Sequence, residues 1–331
     1  MTLKNFFFSI AFIAVTSCML ASCSGCNKSS NASSVNGLCK VICDESFKNI
    51  LDEEIEVFEF QYKNANVLPR YMDETSALDS LLHEKANVII TYRDLTTEQK
   101  GILRKQGRAY RSRRIAIDAV ALIVNKENDI DFLSMNDIQD IMTGKSTKWG
   151  QVYPTKLKEE PIKVIFDQNR SGVVHYIKDK FNNGKDLPIQ FYAQGGSKEV
   201  FEMVEKTRNA IGVIGVSWIT DDLKSTATTV EERYAELEKV TGNKDNNFSD
   251  RIKVLGVRTE DNLQDYKPYQ AYIYDGSYPL FREIFAIDAS PLGSHDHDFF
   301  TFLTGSIGQK IILQTGISPG SVPVRIVNLT E

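Results

Sequence analysis

The residues of this sequence best suited to binding chemistry stand where predicted strands run into predicted helices. In the first such place, strand Ile162–Phe166 continues through Asp167 to Ser171 and enters helix Gly172–Phe181. A helix start presents free backbone N–H groups, and here a hydroxyl and the Arg170 guanidinium stand beside them. These groups together favour the binding of an anion.

Two further helix starts carry the same residue types. Residues 44–47, Asp-Glu-Ser-Phe, follow the first predicted strand, and residues 73–77, Asp-Glu-Thr-Ser-Ala, open the second predicted helix. Helix capping by the Ser and Thr side chains explains each of these starts when it is taken singly. A single anion site that uses all three helix starts is therefore indicated only if the order of strands and helices brings these starts together.

Strands and helices alternate along the chain. The predicted elements are strand Cys39–Cys43, helix Phe47–Asn64, strand Asn66–Pro69, helix Ser76–Glu84, strand Ala86–Thr91, helix Thr96–Gln106, strand Ile115–Val124, helix Met135–Met142, strand Ile162–Phe166, helices Gly172–Phe181 and Ser197–Lys206, strand Ala210–Val216 and helix Phe299–Gln314. This alternation favours an α/β fold with mostly parallel sheets flanked by helices.

The strand Ile115–Val124 is longer than an ordinary strand, which predicts that it passes from one lobe into another. Residues 268–280 are predicted to form the return crossing, and the polar residues 223–250 a solvated excursion. We therefore expect one lobe from residues 38–120 and 268–331 and a second from residues 121–267. Two crossings, near residues 115–125 and 262–275, would join them.

The N-terminus predicts export. Lys4 precedes an apolar run from Phe6 to Val15, which is too short for a stable transmembrane anchor, so residues 1–22 fit a signal peptide. Residues 20–23, Leu-Ala-Ser-Cys, resemble a bacterial lipobox, which implies that Cys23 is lipidated and begins the mature chain. The small polar residues up to 37 then form a flexible tether. We expect an exported, membrane-anchored lipoprotein that faces the periplasm or the cell exterior.

Charge and composition restrict the partners. The formal net charge of the chain is −5, and without residues 1–22, whose only charged side chain is Lys4, it is −6. An acidic chain with no basic stripe argues against nucleic acid. We expect a small molecule or another protein as the partner.

The cysteines and histidines do not predict a metal site. Cys39 and Cys43 lie four residues apart on one predicted strand, about 13 Å from each other, which is too far for a disulfide. We expect both to be reduced core residues, and no His stands near them at ligand spacing. The cluster His295-Asp296-His297 fits the opening turn of a helix after Ser294. No cofactor is expected.

Enzyme motifs are incomplete. Residues 144–147, Gly-Lys-Ser-Thr, resemble the end of a phosphate-binding P-loop, but Gln139 stands where that motif requires Gly. There is no Gly-x-Ser-x-Gly elbow, and acidic pairs occur at the rate of a charged surface. We therefore do not expect an enzyme.

The ordered set of segments resembles the phosphate-type substrate-binding lipoproteins of ABC transporters, a family of two-lobed periplasmic binding proteins. The matching segments are residues 44–48, 117–125, 133–149, Ser171-Gly172, 210–215 and 302–312. The resemblance covers nearly all of the mature chain. It implies a type II-like periplasmic-binding-protein fold, an oxyanion ligand, most simply phosphate, held in the cleft between the lobes, and an ABC permease as the protein partner. A monomer is expected.

The same resemblance implies which residues line the cleft, residue by residue. They are Ser46 and Phe47 in the first loop, Thr75 and Ser76 at the second helix start, Thr91 and Tyr92 at the end of the third strand, and Ser171, Gly172 and Val173 at the start of helix 172–181.

The chain departs from this pattern at two positions. The family carries Ser-Asp where this chain has Thr91-Tyr92, and an arginine where it has Asp167. Arg170 is the expected substitute for that arginine. Asp44, Glu45 and Asp167 would repel a dianion if their side chains pointed into the cleft. An adaptor or surface lipoprotein that keeps the fold without transport is the alternative function.

Overall fold

The computed structural model describes residues 36–188, 195–219, 229–239, 248–260 and 264–321, which all belong to one compact unit, residues 35–331. The strands are β1 Asn36–Asp44, β2 Asn64–Met72, β3 Val88–Thr91, β4 Arg111–Asn125, β5 Phe132–Ser134, β6 Lys163–Ile165, β7 Ala210–Gly215, β8 Ile252–Val254, β9 Gly256–Arg258, β10 Asp265–Tyr266, β11 Phe281–Asp288 and β12 Ser318–Pro319. The α-helices are α1 Lys48–Gln61, α2 Glu74–Leu82, α3 Thr97–Lys105, α4 Met135–Met142, α5 Gly172–Asn182, α6 Ser197–Lys206, α7 Val230–Lys239, α8 Gln270–Tyr274, α9 His295–Thr304 and α10 Ser306–Gln314.

A mixed sheet runs through the centre of the fold in the order β2-β1-β3-β11-β4-β7-β6, and β8 and β12 also pair with β4. β1 is parallel to β2 and β3, and β6 is parallel to β7, whereas β11 and β4 run antiparallel to their neighbours. Helices cover the parallel parts, as expected when each crossover connection is a helix. The predicted α/β fold class is confirmed.

Strand β4 joins two halves of this sheet. Its residues 111–119 pair with β11, and its residues 120–125 pair with β7 and β8. We call the part with β1, β2, β3 and β11 the first half and the part with β6, β7 and β8 the second half. Residues 119–124 of β4 are fully buried, which explains the long apolar run, because a central strand covered on both faces needs apolar residues on both.

The C-terminal region returns to the first half. Helix α9 packs on β1, and the backbone N–H of Lys40 donates to Asp296 at 2.9 Å. The helix predicted over 299–314 is two helices, because Gly305 has an extended backbone (φ −83°, ψ 174°) and ends α9 before α10 begins. Such a break leaves the two helices free to lie at an angle to each other.

Strand β11 was not predicted from the sequence. The predicted return crossing at 268–280 contains the short helix α8, and the strand that re-enters the first half is β11, after it. Arg282 and Glu283 interrupt the apolar pattern of this strand, so periodicity alone does not reveal it. β1 begins at Asn36, slightly before the expected start, and α7 lies within the predicted excursion at 223–250.

Both cysteines of β1 are buried and free, as predicted from their spacing. Burial raises the pKa of the Cys39 and Cys43 thiols, so thiolate formation is suppressed. Cys18, Cys23 and Cys26 lie outside the described residues. Within the described ranges, no helix is long and apolar enough to cross a bilayer.

Helix α1 carries one acid in an apolar environment. Both carboxyl oxygens of Glu54 are buried, and neither has a hydrogen-bond partner among the described residues. The side chain lines a small cavity with Phe47, Ile90 and Leu303. Burial raises the pKa of Glu54 well above its usual value, since an apolar surrounding disfavours the charged form.

Glu54 therefore predicts a stability that falls with rising pH. The protonated acid is tolerated in the folded state, and stability is lost as pH rises from about 4.5, the unfolded value, towards the raised folded pKa. Relative to Glu54→Gln, the wild type should lose about 1.4 kcal/mol per pH unit in this window. Urea denaturation from pH 4 to 8 measures this, with Glu98→Gln at the exposed start of α3 as the control. Parallel pH profiles for wild type and Glu54→Gln would contradict it.

Candidate functional site

The start of α5 is organised as an anion-binding helix end. Ser171 is the N-cap residue, and its Oγ accepts a hydrogen bond from the Val174 N–H at 3.2 Å. The same hydroxyl donates to the buried Asp167 carboxylate. The N–H of Gly172, in the first turn, does not bond to this cap. It is one of the backbone donors that a helix start leaves for an external acceptor.

The acceptor that Gly172 finds is a carboxylate from the first half of the sheet. Asp44, at the end of β1, accepts from the Gly172 N–H through Oδ2 at 2.8 Å. Its other oxygen, Oδ1, accepts from the N–H and the Oγ of Ser46 at 2.9 and 2.5 Å. Asp44 is fully buried. Three donors from two elements therefore bind the two oxygens of one carboxylate, which lies at the positive end of α5.

The cation of the site comes from β11. Arg282 is buried, and its Nη2 and Nε donate to Asp118 Oδ2 at 2.8 and 3.1 Å. Nη2 also donates to Ser46 Oγ at 3.2 Å, and the guanidinium lies over the Phe47 ring at 4.3 Å. Nη1 is buried without a hydrogen-bond partner among the described residues. A buried donor without a partner is costly, so this atom is available to a ligand oxygen.

Glycine at position 172 keeps this region open. A Cβ at this position would lie 2.9 Å from the Tyr92 Cβ, 3.2 Å from Arg282 Nη1 and 3.5 Å from Asp44 Oδ2. Tyr92 in turn packs edge-on against Tyr176 of α5, with ring centroids 5.8 Å apart. The groups of both halves therefore converge on one point beside the Gly172 backbone, where any larger side chain would collide.

Three buried carboxylates, those of Asp44, Asp118 and Asp167, share this region with the single guanidinium of Arg282. Burial raises the pKa of Asp44 against the hydrogen bonds from Ser46 and the attraction of Arg282. Burial raises the pKa of Asp118 as well, although Arg282 opposes this. For Asp167, burial together with the nearby Asp44 charge raises the pKa to about 7. The site is acidic around one cation that is already paired with Asp118, which limits how much negative charge a ligand can bring.

A second ionic cluster joins α2 to α5 near the solvent. Arg170 Nη2 donates to Asp73 Oδ2 at 3.2 Å and to Ser76 Oγ at 3.3 Å. The residue after Asp73, Glu74, is buried, and its carboxylate pairs with His175 and lies 3.3 Å from Arg93 Nη2. The side chain of Arg170 is 60% exposed. This guanidinium is therefore a surface contact between the halves, whereas Arg282 lies in the interior.

The structure brings together half of the residues predicted for the cleft. Ser46 and Gly172 donate hydrogen bonds to the Asp44 carboxylate, and Ser171 caps the same helix start as Gly172. The Phe47 ring lies against the Arg282 guanidinium, and Tyr92 lies beside Gly172. The other predicted residues do not lie at this carboxylate. Arg170 and Ser76 contact each other near the solvent.

Thr91 and Val173 face away from the carboxylate. The Thr91 hydroxyl donates to the Arg93 carbonyl at 2.9 Å, and Val173 is buried in the core. Thr75 is half-buried in the first turn of α2, beside Ser76 and its contact with Arg170. Among the described residues, no cluster of three His, Cys, Asp or Glu side chains is arranged to hold a metal ion.

Two residues of the site were missed from the sequence. Arg282 lies in a strand that was not predicted, and Asp118 lies inside the apolar run that was predicted. A charged residue within a buried strand requires a partner of opposite charge, so Asp118 was itself a signal. The partner is 164 positions away along the chain, beyond the reach of any local pattern.

Comparison with known proteins assigns the family. Residues 29–305 match the PBP superfamily domain. The chain belongs to the PBP superfamily. The resemblance to the substrate-binding proteins of ABC transporters that was inferred from the sequence segments is thereby confirmed, and so is the expectation that this chain is a binding protein rather than an enzyme. Lipid attachment stays a prediction.

Relatives and solved structures agree with this assignment. The phosphate-binding protein PstS of Pseudomonas aeruginosa is 22% identical over 309 residues, with 89% of this chain and 86% of PstS covered. PstS of Staphylococcus aureus is 22% identical and covers 81% of this chain and 73% of its own length. An ABC-type phosphate transport receptor from Vibrio cholerae has the same fold, with a TM-score of 0.60, 17% identity and coverage of 85% and 99%. A phosphate-bound structure from Clostridium perfringens gives a TM-score of 0.66 at 19% identity, with coverage of 86% and 99%.

The Arg282–Asp118 pair predicts a large loss of stability when one partner is removed. Asp118→Asn should lower the free energy of unfolding by about 3–5 kcal/mol, because it leaves a buried guanidinium without its main partner. Replacing both residues, as Asp118→Leu with Arg282→Met, should recover most of this loss. Guanidinium chloride denaturation measures both. A loss below about 1 kcal/mol for Asp118→Asn would contradict the account of the pair.

Proposed function

We propose that this protein is the phosphate-binding lipoprotein of an ABC importer and delivers phosphate to the permease from outside the cytoplasm. Membership of the PBP superfamily supports this, as do relatives that are named phosphate-binding proteins. The observation that carries the proposal is the Asp44 carboxylate bound at the start of α5. Asp44 occupies a place in which Gly172 and Ser46 donate hydrogen bonds and Arg282 supplies positive charge.

Phosphate fits the chemistry of these groups. Its oxygens can accept from the Gly172 N–H, from Ser46 and from the unpartnered Nη1 of Arg282. A protonated phosphate oxygen can also donate to one of the surrounding carboxylates, which sulfate is unable to do at neutral pH. The excess of Asp side chains therefore favours a ligand that carries a proton, such as hydrogen phosphate.

Binding is proposed to occur between two lobes that close by a hinge motion. Lobe 1 would consist of residues 38–120 and 268–331 and lobe 2 of residues 121–267. Two observations support this division: β4 changes partners between residues 119 and 120, and β11 returns the chain to the first half. The site lies where groups from both parts meet, so closure would enclose the ligand. We propose that the protein acts as a monomer.

Calorimetry of ligand-stripped protein tests the function. The wild type should bind phosphate more tightly than sulfate or molybdate, and Gly172→Asp should weaken phosphate binding by about a hundredfold or more, because it adds steric bulk and negative charge at the site. Gly101→Asp is the matched control, since a Cβ at Gly101 meets no atom within 4 Å. If no tested oxyanion binds more tightly than millimolar, transport is contradicted and the adaptor function replaces it.

Lipid attachment at Cys23 is tested by detergent partition. Cys23 lies outside the described residues, and the proposal rests on the lipobox-like residues 20–23. Protein expressed in bacteria with its own N-terminus should enter the detergent phase, because acyl chains bury many CH₂ groups. Cys23→Ser should move it to the aqueous phase, whereas the control Cys26→Ser should not. Equal partition of the two variants would exclude Cys23 as the anchor.

A further inference from the structure

We infer that Asp44 is an internal occupant of the anion site. In the ligand-free protein it clasps the two halves of the fold together, and an incoming oxyanion must displace it from the Gly172 N–H to reach Arg282. The inference rests on the proposed function for the displacing ligand, but the clasp itself does not require any ligand.

The hydrogen bonds of Asp44 define the clasp. Oδ1 is held within the first half by the N–H and Oγ of Ser46, and Oδ2 accepts from the N–H of Gly172 in α5, 128 residues away. One buried carboxylate thus bridges two parts of the chain, as an oxyanion ligand would. Since all three partners are donors, the carboxylate satisfies donors that would otherwise be left unpaired when the halves meet.

The next residue supports the same interpretation independently. The Glu45 carboxylate reaches α6, where its Oε2 accepts from the Ser197 N–H at 3.3 Å. A Cβ on Gly196, the N-cap residue of α6, would collide with Glu45 Oε1. Two consecutive acids of the first half therefore approach two helix starts of the second half, each of which favours negative charge.

Arg282 is the group to which a ligand that displaces Asp44 would bind. Its buried Nη1 has no hydrogen-bond partner among the described residues and lies 3.2 Å from the point where a Gly172 Cβ would stand. Asp44 Oδ2 lies 3.5 Å from the same point. Nη1 and Asp44 Oδ2 therefore lie on the same side of Gly172, and an oxyanion that replaced the Asp44 carboxylate would accept from the Gly172 N–H and from Nη1, which Asp44 leaves without a hydrogen bond. Arg282, rather than the exposed Arg170, is then the ligand-binding arginine.

Two variants of Asp44 test the clasp without any ligand. Asp44→Asn keeps the size of the side chain, but its Nδ2 would face either the Gly172 or the Ser46 donors, so one side of the bridge breaks. Asp44→Ala removes both sides. In small-angle X-ray scattering of ligand-stripped protein, we expect a larger radius of gyration for both variants than for wild type. Asp52→Asn is the control, because Asp52 accepts hydrogen bonds from Lys48 and Tyr71, which both lie in the first half.

Wild-type protein provides a second scattering measurement that does not depend on the folding of a variant. Because Asp44 already holds the halves closed, the hinge must open to admit inorganic phosphate and close again on it, so phosphate should leave the radius of gyration of the wild type unchanged and should decrease that of Asp44→Asn. If ligand-free wild type is as open as Asp44→Asn, or becomes compact on adding phosphate, the inference is overturned.

Calorimetry with inorganic phosphate tests the displacement. Removal of an internal competitor raises the fraction of sites free to bind, so Asp44→Asn should bind phosphate about tenfold more tightly than wild type and Asp52→Asn. Weaker or unchanged binding in Asp44→Asn, with its fold verified by circular dichroism, overturns the inference because Asp44 would then be a ligand contact or a bystander. If no protein binds phosphate while Asp44→Asn is open, the proposed function fails and the clasp is supported.

Discussion

The buried guanidinium of Arg282 imposes the requirement on which the rest of the site depends. A charge removed from water needs a partner of opposite sign and acceptors for its remaining donors. Asp118 on β4 supplies the partner at 2.8 Å, and Ser46 and the Phe47 ring complete one side. Gly215 of β7 leaves room for the pair, since a Cβ there would lie 3.1 Å from Asp118 Oδ2 and 3.3 Å from Arg282 Nη2.

This requirement links elements that are distant in sequence. β11 and β4 lie side by side at the centre of the sheet, where the first half meets the second, and the loop after β1 closes over the pair. Once Arg282 is fixed, Ser46 and Asp44 are placed opposite the start of α5. The geometry of the anion site therefore follows from the need to pair the buried Arg282 charge. Because carboxylates outnumber this guanidinium, a ligand must carry little net charge or carry a proton.

Much of the fold was predictable from local signals. The helix start at Ser171 was predicted from a hydroxyl residue before apolar periodicity, and β4 from its long apolar run. The second predicted helix was found, but it begins at Glu74 with Asp73 as its N-cap and not at Ser76. Those signals extend over only a few residues, which is why they succeed. The order of segments along the chain was sufficient to predict the family.

The failures have a common physical cause. β11 was missed because Arg282 and Glu283 disguise its period, and they are charged because their partners come from β4: Asp118 for Arg282, and Arg114 for Glu283. Asp44 was predicted as a possible source of repulsion, but its hydrogen bond to Gly172 depends on tertiary placement. Arg170 was the natural substitute from its position beside Ser171, yet its side chain contacts Asp73 and Ser76 near solvent. Long-range pairing of charges leaves no local pattern.

The most direct test of the central claim is a crystal structure of the protein grown with phosphate after removal of any copurified ligand. The account predicts a phosphate whose oxygens lie about 3 Å from the Gly172 N–H nitrogen and from Arg282 Nη1, with the Asp44 side chain turned away from α5. A phosphate bound elsewhere, or one at Arg170 with the Asp44–Gly172 hydrogen bond intact, would contradict it.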